Sequence, residues 1–354
     1  MKTSFNQISL NITGSFNIAR GTTERVEITL IRIQDENGHI GIGGATPTAY
    51  YGETAATMRA ILPEFLEIIE SHGMEPRHAI EQRLYNHVRG NPAARAAVST
   101  ALADIAGKRA DMPLYELWGL DPTDIPKTSY TISLDTPRAM QAKAETAVNN
   151  GFDILKLKLG HDNERNHKRI AAVRQATPDA QIRADANAAL TSQQAVEISD
   201  ILANYDIEFL EQPVPADDID GLQFVQAYGS VPVAADESVI TAADVSRVSD
   251  AVDIIVAKLM KCGTLREVRR IAAVADAVNC ESMLGCMVES NVSIAAAWNL
   301  APLFDYVDLD GSLLLSEDPI GGIPMDGNAA NLSYYTLYLT LSTNHAILIL
   351  RDDL

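Results

Sequence analysis

An α/β fold, a modified TIM barrel of the (β/α)7β type with an N-terminal α+β capping domain, is what the sequence predicts, on three observations. Eight short apolar runs recur between residues 128 and 310, helix-like segments separate them, and a differently patterned stretch of about 120 residues comes first. Short strands alternating with helices imply parallel pairing through right-handed crossovers. Eight of them within about 180 residues favour closure into a barrel over an open sheet.

Residues 1–50 alternate as strands do: VEITLIRI, a turn at Glu36-Asn37-Gly38, then HIGIGG. From Glu53 to about Lys108 the period becomes helical, through TMRAILPEFLEIIE and ARAAVSTALADIAGKRA. The barrel strands are read at TSYTISL, DILKLKL, AQIRADA, IEFLEQ, VPVAADE, VDIIVAKLM, ESMLG and YVDLD, with helices such as PRAMQAKAETAVNN and LREVRRIAAVADAV between them. No good helix follows the eighth run. The expected domains are therefore 1–120 and 121–319. The tail of about 320–354, with its apolar YYTLYLTL and AILIL, is expected to complete the first.

The 354 residues are 47% hydrophobic and 21% charged, a globular composition long enough to bury a large core without disulfides. Three cysteines, Cys262, Cys280 and Cys286, with no CxxC spacing, argue against a disulfide framework or a structural zinc site. A formal net charge of −19 excludes an electrostatic fit to nucleic acid. Residues 1–16 lack the apolar core of a signal peptide, and no apolar run reaches the length of a membrane span. The expectation is a cytoplasmic chain with neither nucleic-acid nor membrane partner.

Catalytic groups of such barrels sit at the C-terminal ends of the strands. Asp185 ends AQIRAD, Glu211 ends IEFLE and Asp236 ends VPVAAD. They stand one βα unit apart, which puts them at equivalent heights on three neighbouring strands. Any one alone reads equally well as a helix cap or loop charge, but three in register would repel one another unless a cation neutralised them. Oxygen donors without His or Cys suit a hard ion, Mg²⁺ before Mn²⁺ or Ca²⁺.

Lys156 and Lys158 share one face of the second strand, and Lys258 lies on the sixth, diametrically opposite. Lysines aimed into a barrel are costly unless paired or functional, whereas on a sheet edge they would merely block aggregation. Lys261, three residues on, reads as a loop charge. No histidine occurs between His167 and His345, so a nucleophilic triad is hard to assemble. A base on either side of a carbon next to a metal-bound carboxylate points instead to a 1,1-proton transfer. Lys156 and the metal would lower the pKa of Lys158 so that it could serve as base.

The ordered motifs K-x-K (Lys156, Lys158), D-A-N (Asp185–Asn187), E-Q-P (Glu211–Pro213), D-E-S (Asp236–Ser238) and K-L-M-K-x-G (Lys258–Gly263) resemble those of the enolase superfamily. Within it, they resemble the muconate-lactonizing subgroup and most closely its dipeptide epimerases of the L-Ala-D/L-Glu type. The resemblance runs over about residues 14–320. It implies Asp185, Glu211 and Asp236 as ligands of one Mg²⁺ per subunit, with Mn²⁺ as a substitute. It also implies Lys158 and Lys258 as the acid/base pair, with Lys156 assisting electrostatically.

Asp308 and Asp310, aimed the same way from the end of the eighth strand, suit a substrate α-ammonium group, although two acids in an exposed loop would look alike. FNIARG and YYGET are similar to the specificity loops of that type. Arg20 is placed to pair with a side-chain carboxylate, unless it is only a surface arginine in a turn. Ser133 stands where the family often has a substrate-contacting hydroxyl.

Gly44-Ala45 departs from the acidic residue common in the early loop. Shared parts do not fix the reaction. Dipeptide epimerization is the first expectation, in cell-wall peptide metabolism and by a homo-oligomer. A muconate cycloisomerase or o-succinylbenzoate synthase-like reaction and N-acylamino acid racemization follow. A non-catalytic peptide-binding barrel is the reading from another class.

Overall fold

The computed structural model describes residues 1–73 and 75–332. The chain opens on an antiparallel sheet of β1 (Lys2–Ile18), β2 (Gly21–Gln34) and β3 (Ile40–Ala45), in that spatial order. The first hairpin turns tightly at Ala19-Arg20, with Ile18 paired to Gly21. The second is shaped by Asp35. Its Oδ1 accepts from the N–H groups of Asn37 and His39, both at 2.9 Å, a side-chain turn of the kind short acids favour.

Helices α1 (Ala55–His72), α2 (Arg77–His87), α3 (Pro92–Ala110) and α4 (Leu114–Leu117) follow. Reciprocal bonds between Thr54 and Thr57 start α1, satisfying donors that a helix N-terminus would leave free. Its Met58, Leu62, Phe65 and Ile69 recur on one buried face. Proline at the first position opens α3, and the helix is buried almost throughout. Strand β3 lies directly on α3. A Cβ on Gly41 would stand 2.0 Å from the Ala101 carbonyl oxygen, and one on Gly43 1.8 Å from that of Ala97.

The barrel comprises β4 (Tyr130–Ile132), β5 (Ile154–Lys158), β6 (Gln181–Asp185), β7 (Ile207–Glu211), β8 (Val233–Ala235), β9 (Ile254–Lys258), β10 (Glu281–Gly285) and β11 (Tyr306–Asp308). All neighbours pair in parallel. A bridge from Thr128 to Val307, just before β4, brings the last strand round to the first. The crossovers are α5 (Pro137–Asn149), α6 (Asn163–Ala176), α7 (Ser192–Asn204), α8 (Ile219–Tyr228), α9 (Ala242–Val248), the single turn α10 (Leu259–Cys262) with α11 (Leu265–Ala277), and α12 (Asn291–Trp298). Among the described residues no helix follows β11, as expected from the sequence.

Register places the ends of neighbouring strands level. Lys158 pairs with Asp185, and Asp185 with Glu211. Gly285 pairs with both Lys258 and Asp308. Below this ring the bore is closed by Phe209, Ala234, Ile254, Val256 and Met283. Arg183 lies against Phe209 and Tyr306, 5.5 and 5.0 Å from their ring centres. The floor of the mouth is therefore packed.

The tail expected to complete the first domain begins at about residue 320. Ahead of it, residues 314–316 bond to that domain, through Thr13 N–H to the Leu314 carbonyl and Ser316 N–H to that of Asn11, both 2.9 Å. The small hairpin β12 (Met325–Asp326) and β13 (Ala329–Ala330) instead seats at the opposite end of the barrel. There Asn328 bonds the backbone of Thr128, Asp153 and Ile154. Those groups lie just before β4 and at the start of β5, and need partners that neighbouring strands do not supply. YYTLYLTL and AILIL lie outside the described residues.

Two stability predictions follow from the first domain. Burial alone would raise the Asp35 carboxyl, but hydrogen bonds from Arg109, His39 and Asn37 pull it from 3.8 down to about 2. Its contribution is thus complete above the ordinary carboxylate value near 4 and lost as pH falls through about 2. Asp35→Asn is expected to cost on the order of 1–2 kcal/mol at pH 7 in urea unfolding, with the deficit shrinking as pH is taken from 5 to 3. Gly43→Ala must push β3 off α3 and is expected to cost about 3 kcal/mol or more; a loss below about 1 kcal/mol by the same measurement would show that the contact yields freely.

Candidate active site

Strand ends and capping loops together enclose a cavity of about 440 Å³ at the barrel mouth. Lys158 and Lys258 reach it from β5 and β9, and Asp308 and Asp310 from the end of β11. Phe16, Arg20 and Tyr50 cover it from the first domain. A separate cavity of about 680 Å³ lies outside the bore, along α11 and the start of β10, and contains none of these groups.

The acids and lysines form a nearly dry ionic lattice. Lys158 Nζ lies 2.5 Å from Asp185 Oδ2, and Lys258 Nζ 2.7 Å from Asp236 Oδ2. Lys156, only 1% exposed, sits 2.7 Å from both Glu211 and Asp308 and 3.3 Å from Asp185. Ser129 donates to Asp308 at 2.5 Å, and Asp310 accepts from the Thr131 N–H at 2.6 Å.

Charge and burial pull these groups apart. Burial would raise Asp185 and Asp236, but the facing lysines overcome it and hold both low. Glu211 goes the other way. Burial and the neighbouring Asp185 charge push it up to about 8; its Oε2 faces Lys156 Nζ at 2.7 Å as an ion pair, and its Oε1 has no partner among the described residues. Asp310 is pushed up to about 7 by burial and then by Asp308. Burial would lower Lys258, but the Asp236 carboxylate outweighs it and holds the amine protonated.

Asp185, Glu211 and Asp236 offer oxygen donors only, and Glu211 Oε1 is buried with no partner among the described residues. That donor set fits a hard divalent cation. The counter-charge present is ammonium, and among the described residues no three acids, cysteines or histidines converge as they stand into a ligand cluster.

Two expectations are corrected here. Lys261 is not a loop charge: fully buried on α10, it donates to Asp236 Oδ1 at 2.6 Å and to the Val256 carbonyl at 2.8 Å. The helical turn directly after β9 folds it back onto Asp236, which Lys258 also contacts. Ser133 does not reach the mouth. Strand β4 ends at Ile132, and beyond it Ser133 turns outward to accept from Lys143 on α5 at 3.1 Å. Thr131 takes its place in the cavity wall. Sequence reasoning also missed Ser129, although alternation within TSYTISL puts Ser129 and Thr131 on one face, and that was the available signal. Arg20 does reach the cavity. There its Nη1 donates to Glu237 Oε1 at 2.5 Å and to the Asn187 carbonyl at 2.8 Å.

Comparison with known proteins agrees with this architecture. Residues 5–119 match the mandelate racemase / muconate lactonizing enzyme N-terminal domain, and residues 139–314 match the enolase C-terminal domain-like family. The chain is 34% identical to a hydrophobic dipeptide epimerase of Enterococcus faecalis, over 88% of its own length and 90% of the relative's. It is also 34% identical to an L-Ala-D/L-Glu epimerase of Bacteroides thetaiotaomicron, over 91% and 83%. A crystal structure of the dipeptide epimerase from Enterococcus faecalis V583 complexed with Mg and the dipeptide L-Leu-L-Tyr superposes with a TM-score of 0.87 at 33% identity, covering 93% of this chain and 98% of that one. The chain belongs to the mandelate racemase / muconate lactonizing enzyme family of the enolase superfamily.

Proposed function

We propose that this chain is a dipeptide epimerase that inverts the α-carbon of the C-terminal residue, with a substrate of the L-Ala-D/L-Glu kind. The observation that carries the reading is the placement of two amines. Lys158 and Lys258 come from the second and sixth barrel strands, opposite one another, yet both line one cavity. A carbon held between them can lose its proton to one amine and regain a proton from the other on the opposite face. Lys158 stands against Asp185 and Lys258 against Asp236, so each amine is held in place by its own carboxylate.

The absolute charge of the site favours such a substrate. Removing a proton beside a carboxylate builds a second negative charge on it. Asp185, Glu211 and Asp236 would hold Mg²⁺, which supplies the electrostatic stabilisation of that charge. The same oxygen donors admit Mn²⁺, and one such set per chain corresponds to one ion. Lys156, at the centre of the acids, holds Asp185, Glu211 and Asp308 in place and adds positive charge beside the mouth. Asp308 and Asp310 are two buried like charges at the end of β11, and a cationic α-ammonium group placed between them would relieve their repulsion. That feature favours a dipeptide over an unsaturated dicarboxylate, which brings no cation. Arg20 at the hairpin tip is the remaining cation of the wall and faces the C-terminal side chain.

The reading is tested with L-Ala-L-Glu and L-Ala-D-Glu in D₂O with Mg²⁺. The wild type is expected to convert either isomer to a mixture carrying one deuterium at the α-carbon of glutamate, and to stop when the metal is chelated. Lys158→Ala and Lys258→Ala should each lower epimerization about a thousandfold, each retaining exchange from one isomer only. Asp308→Asn should raise the KM for dipeptides at least about tenfold. Turnover of an unsaturated dicarboxylate without α-deuteration of any dipeptide would assign the chain to the lactonizing reactions instead.

A further inference from the structure

Glu237 has no part in the proton transfer, yet it is a fourth acid buried at the mouth, its side chain fully enclosed. A carboxylate in such a place is costly unless something requires it there. Among the described residues its one ion pair is with Arg20 at 2.5 Å, through Oε1, which also accepts a long 3.5 Å bond from Asn187 Nδ2, and its other oxygen, Oε2, has no hydrogen-bond partner. It follows Asp236 at the end of β8 and so reaches up from the barrel to the tip of the β1–β2 hairpin.

The pairing is one-sided. Both hydrogen bonds of the Arg20 guanidinium, to Glu237 and to the Asn187 carbonyl, leave from the same nitrogen, Nη1. The Tyr50 ring lies 4.3 Å from the guanidinium carbon and covers a face. The edge formed by Nε and Nη2 has no partner among the described residues, and Arg20 lines the cavity with 32% of its side chain exposed. An arginine on a two-residue turn would otherwise sample many rotamers, each with its fork aimed differently. Fixing one nitrogen and one face leaves a single pre-oriented edge, of the geometry that takes a carboxylate bidentately.

We propose that Glu237 is the positioning residue for recognition of an acidic C-terminal side chain: it holds Arg20 by Nη1 so that the Nε–Nη2 edge is presented to a substrate carboxylate. The proposal rests on the dipeptide reading and adds to it the residue that makes Arg20 selective. Glu237 acts here through its acceptor oxygen and the direction it imposes; its charge, if anything, opposes a second carboxylate on the same guanidinium.

The test compares L-Ala-L-Glu with L-Ala-L-Leu in the presence of Mg²⁺, by calorimetric binding and by steady-state kinetics. Glu237→Ala is expected to lower the acidic-to-neutral preference at least about tenfold, through KM more than kcat. Glu237→Gln retains an oxygen acceptor for Nη1 and should keep the preference within about threefold. Arg20→Ala should lose it as Glu237→Ala does, and the double variant should lose no more than Arg20→Ala alone. Should Glu237→Ala fail to fold, Glu237→Asp withdraws the acceptor by one methylene and is expected to lower the preference at least about threefold. An equal loss for both dipeptides would reduce Glu237 to a structural clasp, an unchanged ratio would leave it no role in recognition, and a tenfold gain for Glu237→Gln would make charge neutralisation its function; each overturns the proposal. Binding with the expected preference but without epimerization would count against the function reading alone, and epimerization without preference against this one alone.

Discussion

The structure turns on the mutual neutralisation of buried lysines and carboxylates at the mouth of the barrel. Lys156 stands among Asp185, Glu211 and Asp308, Lys158 faces Asp185, and Asp236 is gripped by Lys258 and Lys261 together. None of these charges could be held out of water alone. Parallel pairing supplies the level at which they meet, since Lys158, Asp185 and Glu211 lie side by side in register. The lattice is not fully balanced. Glu211 keeps its buried Oε1 without a partner among the described residues, and Asp310, beside Asp308, is answered by the backbone and side chain of Thr131 and by no cation in hydrogen-bond contact among the described residues. Those two residual imbalances mark where a divalent cation and a substrate ammonium group gain most.

Strand geometry also makes room for the chemistry. Gly285 is level with Lys258 in the neighbouring strand, and a Cβ there would stand 3.1 Å from the lysine Cε. A larger residue would push the amine out of line with the cavity. The first domain closes the mouth from above because β3 rests on α3 through Gly41 and Gly43, and because the first hairpin is long enough to extend Arg20 to Glu237. Specificity and chemistry thus come from different parts of the chain. The barrel holds the reacting groups on rigid strand ends, while loops of the first domain choose what lies between them.

Much of this was legible before any coordinates. The eight strands announced themselves as apolar runs spaced by one βα unit, and Asp185, Glu211 and Asp236 fell at their ends. Lys156 and Lys158 could be assigned to one face by alternation alone. Lys261 could not, because its fate depends on a one-turn helix that folds it back onto Asp236. Ser133 was misplaced for a similar reason: β4 ends at Ile132, before the apolar pattern TSYTISL does, and past that end alternation no longer governs direction. The hairpin of residues 325–330 has a local turn signal in Gly327-Asn328, but its seat beneath the barrel has none, since that is made by backbone groups of Thr128, Asp153 and Ile154 far away in sequence.

By itself the sequence determined the class of fold, the height of the acids and the strand that carries each lysine. Those properties follow from periodicity, which is local and repeats. Only the tertiary structure decided which ammonium faces which carboxylate, that Thr131 rather than Ser133 lines the cavity, and that Arg20 is held by Glu237 from another domain. Pairings of that kind depend on distances across the bore and between domains, and on how deeply each group is removed from water, quantities that no periodicity encodes.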